Sequence, residues 1–136
     1  MSAVAPFRLF NPKDMPGTIG YSQVAEITGG KTVLISGQVS RDESDAIVGE
    51  RNFSAQVEQV FQNLKTAVEA AGGNFSNIVK LNYYCVESVE PSQVPVVREI
   101  RDRFVNTENP PASTFVFVTR LVRPEFLIEI EAVAVV

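Results

Sequence analysis

The chain has 136 residues, 45% hydrophobic and 21% charged, with 12 Lys and Arg against 16 Asp and Glu for a net charge of −4. That is the size of one domain, residues 1–136, with enough core to need neither disulfide nor metal staple. The acidic balance disfavours nucleic acid and anionic membranes as partners. The absence of histidine excludes Ser-His-Asp and Cys-His mechanisms and, with Cys85 as the single cysteine, the common zinc sites. No metal or cofactor is expected, and acid–base chemistry falls to carboxylates, Tyr, Lys or Cys85.

In chain order, the opening stretch MSAVAPFRLFNPKDMP shows no cationic start followed by an apolar run, so no signal peptide is expected. No apolar stretch approaches the ~20 residues of a membrane span. One unpaired cysteine fits a reducing compartment, and a cytoplasmic location is expected. Residues up to about Gly20, with Pro6, Pro12, Pro16 and Gly17, read as a short strand and a loop. Tyr21–Thr28 and Thr32–Gln38 read as two strands joined through Gly29-Gly30 into a hairpin. Arg41–Arg51 is polar and reads as a loop.

Phe53, Val57, Val60, Phe61, Leu64, Ala67, Val68 and Ala71 form one helical stripe, with Asn52 as N-cap and Gly72-Gly73 as the stop. Ser76–Glu87, rich in β-branched and aromatic residues, reads as a strand. A second helix is expected from Pro91 or Ser92 to Val105, with Val97, Ile100 and Phe104 inward and Arg98, Arg101 and Arg103 as a solvated face. Ser113–Thr119 and Phe126–Val136 close the chain as strands. The order β-β-β-α-β-α-β-β implies an α+β fold: a mixed six-stranded sheet with two helices on one face. The other face, carrying many apolar residues, would be left for self-association.

The last strand poses the functional question. Ile128, Ile130, Ala132, Ala134 and Val136 share one wholly apolar face; Leu127, Glu129, Glu131, Val133 and Val135 share the other. Either the glutamates are solvated or paired across strands, or assembly buries this face and makes one of them a site residue. Gly37, inside a strand, reads as a bulge or a close approach. Tyr21 reads as a core aromatic or a site hydroxyl, and Cys85 as a small buried hydrophobe.

Together GYSQV, TVLISGQV, QVEQVFQNLKTAVEAAGG, NIVKLNYYCVE, PPASTFVFVTRL and IEIEAVAV resemble the RidA family, also called YjgF or endoribonuclease L-PSP, from about Tyr21 to the C-terminus. The resemblance implies a chorismate-mutase-like fold and a homotrimer that buries the open sheet faces and builds small-molecule sites between subunits. It also implies hydrolysis of reactive imines and enamines. It matches Glu129 to the family's catalytic glutamate, which assists water addition, and Gly37 and Tyr21 to substrate-binding positions. The family's Pro-Ala-Arg motif, whose arginine holds the substrate carboxylate, reads Pro111-Ala112-Ser113 here. Ser113 in place of that cation, Phe115 two residues later and Val97 near a family asparagine place the chain in a branch lacking the arginine, with an altered substrate. Either Arg120 or Arg123 supplies a cation from the edge, or Arg120, at a strand end, simply pairs with a carboxylate. The alternative is a non-catalytic, small-metabolite-binding or regulatory protein. Ribonuclease activity is disfavoured by the acidic, histidine-free composition.

Overall fold

The computed structural model describes residues 5–136 and contains six strands and two helices. The strands are β1 (Phe7–Phe10), β2 (Val24–Ile27), β3 (Thr32–Gln38), β4 (Ile78–Val86), β5 (Ala112–Val118) and β6 (Ile128–Val135); the helices are α1 (Phe53–Ala70) and α2 (Val94–Arg101). This is the expected α+β, chorismate-mutase-like layout. Its hydrogen bonds divide it into a four-stranded sheet, order β3-β6-β4-β5, and a β1-β2 pair. β6 runs antiparallel to both β3 and β4, while β4 and β5 are parallel and joined through α2.

The expected hairpin of the second and third strands does not form. β2 pairs with β1, and β3 pairs with β6, Thr32 opposite Val135 and Ile35 opposite Ala132. Gly30, at φ 72°, turns the chain away from β2, and Lys31 exchanges both backbone hydrogen bonds with Val136. Two other elements begin or end inside their expected bounds. Tyr21 precedes β2, and α2 is preceded by a 3₁₀ turn at Pro91–Gln93 and followed by turns from Asp102.

α1 forms where its stripe predicts. The Asn52 side chain accepts from the Ala55 N–H, satisfying one of the open donors of the first turn. At the far end Gly72, at φ 95°, lets its own N–H reach the Glu69 carbonyl and that of Gly73 reach Val68, a Schellman stop. Val57, Val60, Phe61, Leu64 and Val68 are fully buried against Leu81, Tyr83, Ile128, Ile130 and Ala134 of the sheet. Each such side chain stabilises the fold by about 1.5–3 kcal/mol through burial. From α2, Val97 and Ile100 join this core, and Phe104 beyond it stacks on Phe61 with centroids 5.3 Å apart.

Gln56 is a polar member of the α1 buried face, which hydrophobic patterning alone passes over. Its amide donates to the carbonyls of Gly49 (3.2 Å) and Glu125 (2.8 Å) and accepts from the Leu127 N–H (2.9 Å). It thereby fixes the entry to β6 two residues before Glu129. Cys85 is buried, as expected; desolvation pushes its thiol up to about 11.

The sheet face away from the helices is more polar than the pattern suggested. Leu34, 79% exposed, Val116 and Val133 lie on it with Ser36, Asn82, Tyr84, Glu129 and Glu131.

Candidate functional site

The residues singled out from sequence gather on two sides of one sheet. On the open face, β6 places Glu129 opposite Tyr84 and Glu131 opposite Asn82 on β4. Glu131 is committed: it accepts from the Tyr84 hydroxyl at 2.5 Å and from the Asn82 amide at 3.3 Å. That bond and the adjacent carboxylates hold the Tyr84 phenol above its ordinary value. Glu129 has no side-chain hydrogen bond among the described residues. Partial burial first, and the neighbouring Glu131 charge second, push its carboxyl above the ordinary value.

Gly37 sits directly over this carboxylate, where the β3–β6 register slips between Ile35 and Gln38. A Cβ at Gly37 would overlap Oε2 of Glu129 and come within 2.7 Å of its Cδ. The absence of a side chain there is therefore what lets Glu129 lie flat against β3, the close approach that a strand glycine signals.

On the helix side, a cavity of about 400 Å³ opens between α2, the edge of β5 and the segment before β2. Tyr21, Ser113 and Phe115 line it together, with Val97 and Tyr83. Ser22 holds the segment in place: its N–H donates to the Pro111 carbonyl (3.1 Å) and its hydroxyl to that of Pro110 (2.6 Å). Phe115 stacks on Tyr83 with centroids 5.5 Å apart. A larger recess of about 780 Å³, beside the Val39–Asp45 loop and α1, contains none of the candidate residues.

Thus Tyr21, Ser113 and Phe115 come together, as do Glu129 and Gly37, but the sheet separates the two groups within one chain. The edge arginines do not reach the cavity. Arg120 donates to the Leu121 carbonyl, and Arg123 lies over the Phe126 ring and beside Glu125. The cations at the cavity are Arg98 and Arg101 of α2, assigned from sequence to a solvated face. Arg101 is in fact 8% exposed. The signal was its position, one residue after Ile100 and four after Val97, on the buried stripe. Among the described residues no group of side chains is arranged to hold a metal ion, and no helix is long and apolar enough to cross a membrane.

The endoribonuclease L-PSP family model matches residues 13–136. The chain belongs to this family, RidA/YjgF. Family members named 2-iminobutanoate/2-iminopropanoate deaminase include one from Salmonella typhimurium, 34% identical over 90% of this chain and 93% of its own. Another, from Dermatophagoides farinae, is 30% identical over 98% and 99%. A solved Rid-family protein of unknown function from Yersinia pestis superposes with a TM-score of 0.89 at 33% identity, covering 97% of this chain and all of that one.

Proposed function

We propose that the chain assembles as a homotrimer with small-molecule sites between subunits, and that these sites hydrolyse the C=N bond of a small imine or of its enamine tautomer. The observation that carries this reading is the division of labour between two neighbouring glutamates. Glu131 is locked by Tyr84 and Asn82, whereas Glu129 has no partner among the described residues, is raised in pKa and is seated against Gly37. A carboxylate held that way is suited to pass a proton. Glu129 takes a proton from water as the water oxygen bonds to the imine carbon, and the C=N π pair moves to nitrogen, which gains a proton. That proton comes from Glu129, which then takes the carbinolamine hydroxyl proton as C–O becomes C=O and delivers it to the departing nitrogen. Imine and water become carbonyl compound and ammonia.

Assembly joins the halves. The Glu129 face of one copy closes on the Tyr21, Ser113 and Phe115 cavity of the next. The relatives' deaminase names support the reaction class, and the exposed Leu34 and Val116 on the same face as Glu129 support its burial in an assembly. Ser113, a neutral hydroxyl where the family pattern has arginine, changes how the substrate is held and therefore which substrate is preferred.

Light scattering should give three times the chain mass. Ammonia release from freshly generated 2-iminobutanoate should fall about a hundredfold or more in Glu129→Gln, the scale of a lost general base. A monomer, or a Glu129→Gln variant as active as wild type, overturns the reading. A trimer that binds small metabolites but releases no ammonia would instead match the non-catalytic role that the Ser113 replacement favours.

A further inference from the structure

Two polar groups of the cavity have hydrogen-bonding capacity that no other described residue uses. Arg101 uses Nε and Nη2 on a single oxygen of Asp102, at 3.0 and 2.9 Å. Its Nη1 donates to no other described residue, although the side chain is only 10% exposed. A guanidinium has five N–H donors, so among the described residues several of those of Arg101, which lines the cavity, have no acceptor. The second group is the Tyr83 hydroxyl, fully buried with no hydrogen-bond partner among the described residues. Burial pushes its phenol far up, so it remains an O–H donor across the physiological range.

The backbone is shaped around this arginine. Gly20, at φ 79°, passes so close that a Cβ would overlap Nη2 of Arg101 and lie within 2.9 Å of Cζ. Both the left-handed conformation and the close contact call for glycine at that turn. The remaining lining mixes Tyr21, Gln23 and Ser113 with the apolar Ile19, Val94, Val97 and Phe115.

We propose that Arg101, with the Tyr83 hydroxyl as second donor, holds the carboxylate of a small ligand whose body is apolar. The guanidinium and hydroxyl supply the charge-assisted donors that Ser113 does not. Arg98, exposed at the rim, adds positive potential for entry. Ile19, Val94, Val97 and Phe115 take an alkyl or aryl group. This assignment rests on the cavity being the small-molecule half of the proposed site, and not on Glu129 acting on what binds there.

The test is binding, not turnover. The probes are 4-methylpentanoate and its uncharged amide, titrated into the full chain and followed by backbone amide NMR shifts. The acid should bind about tenfold or more tightly than the amide, with shifts centred on residues 19–23, α2 and β5. Arg101→Gln should erase that preference, and Tyr83→Phe should weaken the acid several-fold and by more than the amide, whose neutral carbonyl is the weaker acceptor. Because Arg101 is buried, Gly20→Ala provides a second route: displacing the guanidinium without removing it should also reduce the preference for the acid. Equal binding of acid and amide overturns the assignment, as does a folded Arg101→Gln that keeps the preference. So do shifts centred on Arg120, or no binding of either probe at about 10 mM, weaker than any useful site. A protein that binds the acid through Arg101 but releases no ammonia refutes the hydrolase reading alone.

Discussion

Gln56→Leu keeps the volume of a fully buried side chain and removes its three hydrogen bonds. The Gly49 carbonyl retains a partner, because the Asn52 N–H also donates to it at 2.9 Å. The Glu125 carbonyl and the Leu127 N–H have no second partner among the described residues. Two buried backbone groups left unpaired cost about 1–3 kcal/mol each. The added apolar surface of leucine returns about 1 kcal/mol, leaving a net loss of about 3 kcal/mol. For a domain of this length, about 3 °C is lost per kcal/mol, so the melting midpoint should fall by about 10 °C. Thermal unfolding by circular dichroism, at matched protein concentration because the proposed assembly would add its own stabilisation, measures this directly. A midpoint within about 2 °C of wild type, too small for even 1 kcal/mol, would show that the two groups find water and that Gln56 does not anchor the entry to β6.

Gly37→Ala should cut turnover by about a hundredfold, because the new methyl displaces the Glu129 carboxylate by about 1 Å. Its unfolding midpoint should stay near wild type, since φ at Gly37 is not in the left-handed region. The acid limb of the kcat/KM profile should lie above the ordinary carboxylate range, because the Glu129 pKa is raised; activity appears as pH rises through that value, and Glu129→Gln should abolish the limb. The same shift makes Glu129 favour the folded state most at low pH, so its contribution declines as pH rises from the unfolded carboxylate value through the raised one. A urea series from pH 4 to 7 on wild type and Glu129→Gln isolates that slope. Cys85, buried with its thiol pushed up to about 11, should react with a disulfide reagent at pH 8 only upon denaturation, which a colorimetric thiol assay reads.

Elements with strong local determinants were legible in the sequence. α1 announced itself through its stripe, its Asn52 cap and the Gly72-Gly73 stop, and β6 through strict alternation. The third strand's partner was not legible. Gly29-Gly30 reads as a hairpin turn, but ladder partners are chosen by the whole sheet, and β3 finds β6 about a hundred residues away. Of the candidate site, the likelihood of a strand glycine meeting a side chain was readable at Gly37, though the identity of that side chain required the register slip. Arg101 and Gln56 were passed over for one reason. Both are polar residues on apolar stripes, and a hydrophobic pattern records only what burial rewards, not the buried polar groups that other residues satisfy.

The two groups of candidate residues lie on opposite faces of one sheet, and no hinge in a single chain can bring them together. If both act on one ligand, defects in them belong to different genetic units. A chain carrying Glu129→Gln still offers an intact cavity, and a chain carrying Arg101→Gln still offers an intact carboxylate. Co-expressed, the two inactive proteins should restore activity wherever a cavity from the first meets a carboxylate from the second, so an allele's phenotype would depend on the chain it is paired with.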